Sequence, residues 1–175
     1  LYRRRQRQMC IRDRIKAILA CDNEGGVSKN GTIPWPKNKK DLGWFKKNTT
    51  NNVVVMGSKT WIDPLMPWPL PNRINILATS RKEEFPGADK YICGDLNAEL
   101  KNLKKENADK TIWVIGGPNI IEQTIETIEE FYLSRIPGEY GCDGFLSLKS
   151  IEKLFKKTWF EKHEEVEFQI WKKVK

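Results

Sequence analysis

Asp41 and Phe45 stand four residues apart in Lys39–Asn48, a segment whose apolar positions include Leu42 and Phe45 and which predicts a helix. Both side chains then share one helical face. A carboxylate beside an aromatic edge can hold a flat heterocycle: the carboxylate accepts from an amidine-like pair of N–H groups while the ring packs on Phe45. Asp41 also has a plainer use, because an acid in the first turn is favoured by the helix dipole. Periodicity alone does not choose between the two.

Gly116 and Gly117 follow the apolar run Thr111–Ile115 and precede a helix-like segment from Pro118 to about Thr127. Without Cβ atoms the backbone can approach a phosphate or a ring, and the start of the helix offers unpaired N–H groups to an anion. A tight structural turn would use the same two residues. Ser58, Lys59 and Thr60 sit at a second strand-to-helix corner, after the β-branched run Asn52–Met56 and Gly57. A lysine charge and a capping hydroxyl there can meet a phosphate, or can simply face water. Thr79, Ser80 and Arg81 follow the run Ile74–Ala78 with two hydroxyls and a guanidinium in a row, a trio suited to a ribose 2′-phosphate and hence to NADPH over NADH. Arg73 can clamp a carboxylate bidentately or lie on the surface.

These residues need a scaffold, and the pattern supplies one. Ile15–Cys21 reads as a central strand, and Asp22–Lys40 as a long loop marked by Gly25-Gly26, Asn30-Gly31, Pro34 and Pro36; loops of that length in a domain are more often functional than idle. Pro64–Pro71 cannot be regular structure. Lys90–Cys93 is a short strand, Asn97–Asn107 a helix with Leu100 and Leu103 on one face, and Glu130–Ile136 and Phe168–Lys172 are later strands, with Trp159–Lys162 another candidate. The alternation predicts a single α/β domain: a mostly parallel, twisted central sheet with helices on both faces and an antiparallel C-terminal edge. Ligands of such sheets sit beyond the carboxyl ends of the strands, where Asp22–Trp35, Gly57–Thr60 and Gly116-Gly117 all fall.

The 175 residues, 39% hydrophobic and 31% charged, fit one globular domain with at most one active site. Residues 1–14 hold six arginines against Asp13 and carry +5 of the formal +8. Nucleic-acid binding needs a concentrated positive face on folded surface, and residues 15–175 alternate lysine with glutamate instead. The arginine-rich stretch 1–14 reads as a disordered leader before a domain over 15–175: a non-native leader first, with a natural but nonessential tail or a nucleic-acid arm as the alternatives. No apolar run is long enough to span a bilayer, so no membrane partner and a cytoplasmic location are expected. Cys10, Cys21, Cys93 and Cys142 lack zinc spacing and the single histidine, His163, lacks a motif, so no metal and no histidine triad are expected, only reduced and mostly buried thiols.

Five blocks in order resemble the dihydrofolate reductase family: Ile18–Asp22 with Gly26–Trp35, Asp41–Lys46, Val55–Trp61, Pro69–Asn75, and Val114–Gly117. Tyr132-Leu133-Ser134 is similar to the strand before the family's late loop, where Asp143 and Phe145 follow. The resemblance spans about residues 15–171 and implies that fold, a monomer, NADPH as cofactor, and reduction of dihydrofolate by hydride transfer to C6 with water-mediated protonation of N5.

By that resemblance Asp41, Trp35 and Ser134 are the catalytic group: Asp41 holds the pterin, Ser134 orients Asp41, and Trp35 holds a water. The substrate would meet Ala20, Asp41, Leu42, Phe45, Leu65, Leu70, Arg73 and Ile115, with its glutamate α-carboxylate on Arg73. The nicotinamide would lie near Ala20, Val27, Gly31, Ile33 and Gly116. The phosphates would fall at Gly57, Ser58, Lys59, Thr60 and Gly117, with Pro118, Asn119, Ile120 and Ile121 beyond, and the 2′-phosphate at Thr79, Ser80 and Arg81. Three residues depart from the family's pattern. Ser28 replaces a glycine, Ser58 a basic residue, and Ile121 a tyrosine near the nicotinamide. The alternative reading is a noncatalytic or altered-specificity reductase-like protein that binds a nucleotide or pterin.

Overall fold

Val53, Val54, Val55 and Met56 are all at most 1% exposed, so this strand is covered on both faces, as a strand of a parallel sheet must be. The computed structural model describes residues 14–65 and 68–174. In chain order the strands are β1 (Ile15–Cys21), β2 (Gly26–Ser28), β3 (Val53–Gly57), β4 (Ile74–Ala78), β5 (Lys90–Ile92), β6 (Ile112–Gly116), β7 (Glu130–Arg135), β8 (Gly144–Phe145), β9 (Phe155–Lys162) and β10 (Glu167–Lys173). An eight-stranded sheet has the order β5-β4-β3-β6-β1-β7-β10-β9. Its pairings are parallel as far as β7, and β10 runs antiparallel to both β7 and β9. The predicted fold class, antiparallel edge included, is therefore the observed one.

Helices α1 (Lys39–Thr49), α2 (Ser58–Trp61), α3 (Leu96–Glu106), α4 (Pro118–Thr124) and α5 (Leu148–Leu154) are divided between the two faces. On one face Trp44 and Phe45 of α1, Trp61 of α2 and Leu70 pack with Ile18, Val54, Met56, Trp113 and Ile115. On the other, α3, α4 and α5 contribute Leu96, Leu100, Leu103, Ile121 and Ile151 to a cluster with Ala17, Val55, Val114 and Leu133. The period-2 alternation along β1, β3 and β6 sorts these residues.

The first helix starts at Asn38, whose side-chain oxygen accepts from the Asp41 N–H at 3.0 Å, an N-cap that satisfies one orphan donor. Trp44 docks α1 onto the C-terminal strands: its ring stacks 4.5 Å from Phe168 and 5.7 Å from Trp159.

Local signals fall short in a few places. The helix expected up to Thr127 ends at Thr124, whose hydroxyl donates back to the Ile120 carbonyl at 2.6 Å. Such back-bonding bends and weakens a helix end. Helix α5 was not expected; it has one buried residue, Ile151, and an N-cap from Ser147, too little apolar periodicity to read. Strand β9 begins at Phe155 rather than at Trp159. Cys21 is buried and Cys142 half-buried, whereas Cys93 is exposed.

Of the leader expected over 1–14, only Arg14 falls among the described residues. It is 8% exposed and belongs to the folded domain: its guanidinium donates to the carbonyls of Asn107 (2.8 Å), Lys110 (3.1 Å) and Lys104 (3.1 Å). Those carbonyls lie at and just past the end of α3, where intrahelical donors run out. The boundary therefore lies before Arg14.

The loop after β1 is held by Asp22, 1% exposed. Its Oδ1 accepts from the N–H groups of Gly26 (2.8 Å) and Glu24 (2.9 Å), and its Oδ2 from Tyr140 N–H (3.3 Å). Burial alone would push this carboxyl up, but the three backbone donors, with the Cys142 thiol, outweigh it and hold it below its ordinary value. One side chain thus ties two loops that meet in the small β2/β8 ladder.

Arg14→Ala removes three donors from the half-buried carbonyls of Asn107, Lys110 and Lys104 and is expected to cost about 1–3 kcal/mol, read by urea unfolding; no change would refute the capping role. Asp22 has a depressed folded pKa, so its stabilisation is present at neutral pH and lost as pH falls through that value. Thermal unfolding should show wild type losing stability below about pH 4, with Asp22→Asn less stable at neutral pH and less sensitive to acid.

Candidate functional site

Asp41 is half-buried on the first turn of α1. Across from it stands Ser134, 1% exposed on β7 and level with Ala20 of β1, with its hydroxyl near enough to favour the ionised carboxylate. Burial pushes the Asp41 carboxyl up; the Ser134 hydrogen bond opposes this only in part, so the net shift is upward. A desolvated carboxylate with one protein donor retains acceptor capacity for an incoming pair of N–H groups. Four residues on, Phe45 joins an apolar wall that includes Leu70 (4% exposed) and Ile115 (5%).

Arg73 marks the other end of this wall. Its Nη1 donates to Thr49 Oγ1 at 3.1 Å, its Nε to the Pro71 carbonyl at 2.9 Å, and its guanidinium carbon lies 6.0 Å from the Phe45 ring centre. From Asp41 to Thr49 the helix rises about 12 Å. The line along α1 therefore has a carboxylate at one end, a guanidinium at the other and apolar groups between. Leu42 and Leu65, expected to contact the same ligand, stand at 40% and 66% exposure, outside the packed wall.

The second group gathers at the ends of adjacent strands. Register sets Met56 beside Gly116 and Gly57 beside Ala78, which brings Gly57–Thr60, Thr79–Arg81 and Gly116–Ile120 to one rim. A Cβ on Gly117 would meet only Thr60 Oγ1, at 3.7 Å, and one on Gly116 would meet Leu19 Cδ1 at 3.3 Å and Thr60 Oγ1 at 3.6 Å. The two glycines thus keep a shallow cradle open beside a hydroxyl. Neither Gly57 nor Gly117 receives a side-chain cap at the helix it starts, and Pro118 sits where no N–H is needed. Lys59, Ser80, Arg81 and Asn119 are exposed on this rim, and Ser58 and Thr79 are half-buried. Arg81 pairs with Glu84 at 3.1 Å. Ile121 is 1% exposed in the larger core cluster, so it acts through packing.

Between the groups runs the loop from Asp22 to Lys40. On one side Thr32 Oγ1 donates to Asp63 Oδ1 at 3.0 Å, and Asp63 is itself fixed by the Leu65 N–H. On the other, Asn30 N–H donates to Asp143 Oδ2 at 2.9 Å and Asp143 N–H to the Ser28 carbonyl at 3.0 Å. Val27 is buried, while Gly31 takes φ +80 with open space where a Cβ would be. Ala20 and Ile33 pack against the cluster holding Trp35, which meets Tyr140 edge-on at 5.9 Å. A separate cavity of about 580 Å³, bounded by Trp35, Lys40, Tyr140 and Glu165 among others, lacks Asp41 and the strand-end glycines.

The sequence reading passed over Asp22, Asn38 and Asp63. Asp22 carried a local signal, an acid two residues before Glu24 and four before Gly26, the spacing of an Asx turn. The Asp63 partnership has none, because Thr32 is 31 positions away.

Comparison with known proteins agrees with this geometry. The model of the family described as dihydrofolate reductase matches residues 14–172. The chain is similar to the dihydrofolate reductase of Rattus norvegicus, 30% identical over 152 residues, covering 79% of this chain and 81% of the relative. It is similar to that of Drosophila melanogaster, 30% identical over 143 residues (75% and 78%). It is also similar to the viral dihydrofolate reductase of Saimiriine herpesvirus 2, at 26% identity over 91% of this chain and 85% of the relative. With its strand order, its carboxylate on the first helix and its paired glycines all in the matched span, the chain belongs to the dihydrofolate reductase family.

Proposed function

We propose that this protein reduces 7,8-dihydrofolate to 5,6,7,8-tetrahydrofolate with NADPH. The observation that carries the reading is the half-buried Asp41, beside Ser134, on a helix whose far end meets Arg73. A pterin presents an amidine-like N–H edge, and a glutamate tail ends in carboxylates; the cleft offers the complementary groups in that order along α1.

The cradle at Gly116, Gly117 and Thr60 supports a dinucleotide, since added Cβ atoms would fill it. Lys59 and Thr60 would hold phosphates, and Thr79, Ser80 and Arg81 the 2′-phosphate. The exposed Arg81–Glu84 pair is worth no more than about 1 kcal/mol, a small cost for Arg81 to change partners. When bound, NADPH supplies the hydride that reaches C6 of the pterin.

The chain's own residues do the rest. Asp41 orients the pterin and, as an anion, supports its protonated form. Its carboxylate faces the ring edge away from N5, so the N5 proton arrives on water rather than from Asp41. Trp35 would hold water near the carboxylate. The segment Val27–Ile33, braced by Asp63 and Asp143, restricts bulk water at the reacting atoms. Ile121 offers packing but no hydrogen bond where relatives place a tyrosine. A noncatalytic relative would bind both ligands and consume no NADPH.

In an assay of NADPH oxidation with dihydrofolate, wild type is expected to turn over and Asp41→Asn to fall about 100-fold or more in kcat. Absence of dihydrofolate-dependent oxidation by wild type would overturn the proposal. The raised folded pKa of Asp41 means that ionising it costs stability, a cost that grows as pH rises through that value. Asp41→Asn should therefore match wild type in acid and unfold at equal or higher temperature at pH 7. Arg81→Ala is expected to narrow the preference for NADPH over NADH about tenfold in kcat/KM; an unchanged ratio would refute its role.

A further inference from the structure

His163, the single histidine, lies in the turn between β9 and β10 and touches the start of the helix that carries Asp41. Lys40 Nζ stands 3.1 Å from His163 Nδ1, and His163 Nε2 stands 3.0 Å from Glu161 Oε1. An ammonium has donors only, so Nδ1 is the accepting nitrogen and the ring proton sits on Nε2, aimed at the Glu161 carboxylate. The neighbours thus select one neutral tautomer. Protonated, the same ring would set an N–H and a positive charge against Lys40.

Two more contacts join the turn to the helix. Lys40 Nζ lies 3.5 Å from Glu165 Oε1, and Asn38 Nδ2 donates to the Glu165 carbonyl at 2.9 Å. The same Asn38 side chain accepts from the Asp41 N–H, so one amide bridges the turn and the residue proposed to hold the substrate. The turn is itself fixed: His163 N–H donates to the Val166 carbonyl at 2.9 Å, Val166 is fully buried, and the imidazole meets Phe168 edge-on at 5.7 Å. The charged groups around the ring are Lys40 from α1, Glu161 from β9 and Glu165 from the turn, with Lys37, Lys39 and Glu164 on the wall of the adjoining cavity of about 580 Å³. That cavity borders the helix start with open space where packing would otherwise fix it, so the contacts with the β9–β10 turn set its position.

We infer that His163 positions Asp41: its Nδ1 lone pair holds Lys40, and through Lys40 and Asn38 the β9–β10 turn holds the first turn of α1 in the orientation that receives the substrate. Loss of that lone pair on protonation leaves Lys40 only its longer contact with Glu165 and places it beside a second cation. The helix start then loosens, and substrate binds more weakly in acid. This rests on the proposed dihydrofolate reading. The contacts are partly open to water, so the effect is modest.

The test measures KM and kcat for dihydrofolate at pH 8 and pH 6, across the range in which an imidazole changes charge, in wild type, His163→Asn, His163→Gln and Lys40→Met. An asparagine carbonyl can stand where Nδ1 stands and does not titrate, whereas a glutamine amide reaches the place of Nε2 and leaves Lys40 without that acceptor. Between pH 8 and pH 6, KM should rise about threefold more in wild type than in His163→Asn, which keeps the wild-type KM at pH 8. His163→Gln and Lys40→Met should show the raised KM at both pH values, with kcat within about twofold of wild type throughout. Thermal unfolding checks that each variant is folded, and Lys40→Met probes the same contact from an exposed position. Equal KM values for wild type, His163→Gln and Lys40→Met at pH 8, or the same pH dependence in wild type and His163→Asn, overturn the positioning role and leave the reductase reading intact. No turnover by wild type overturns the reductase reading and the positioning role with it.

Discussion

The burial of Asp41 beside Ser134 sets the first helix's one acid against strand β7 of the sheet, and the site's polar end depends on keeping it there. A carboxylate in this setting is costly to ionise, and its partner is a single hydroxyl. The arrangement persists because α1 is held elsewhere: by Asn38 at its start, by the Trp44 stack along its length, and by Thr49 with Arg73 at its end. Stability invested in those contacts keeps an acceptor poorly satisfied where a ligand can satisfy it, the usual relation between a strained site and its supporting fold.

The parallel sheet imposes the rest of the layout. With both faces covered by helices, free backbone groups and exposed side chains collect at strand ends. The glycine cradle uses the carboxyl ends of β3 and β6, while Arg73 and Lys110 precede β4 and β6 at the opposite ends. Helix α1 runs between the two levels, from Asp41 to Thr49 beside Arg73. Loop 22–40 is pinned to two other segments by carboxylates, Asp63 on one side and Asp143 on the other.

Much of this was legible in the amino-acid order because the signals are local. Unbroken apolar runs gave the buried strands, Gly116-Gly117 gave a corner, and the spacing of Asp41 and Phe45 gave a shared face. The resemblance to a family then chose between a solvated acid and a ligand anchor at Asp41. What stayed hidden depends on partners distant in the chain. Arg14 looks like one more arginine of a basic stretch until the end of α3 is laid beside it. Asp63 looks like a turn residue until Thr32 arrives. Helix α5 buries too little to announce itself, and β8 pairs through only two residues.

The stacking of Trp44 on Phe168 and Trp159 bears on the order in which the molecule can be assembled. The helix that carries Asp41 is made early, and the rings it docks against belong to the last two strands. During vectorial synthesis the exposed side of Trp44 must wait until nearly the whole chain has emerged; contacts so far apart in sequence slow folding and prolong exposure. A chain released short of β10 would have much of its sheet but would lack the Phe168 ring on which the helix carrying Asp41 stacks.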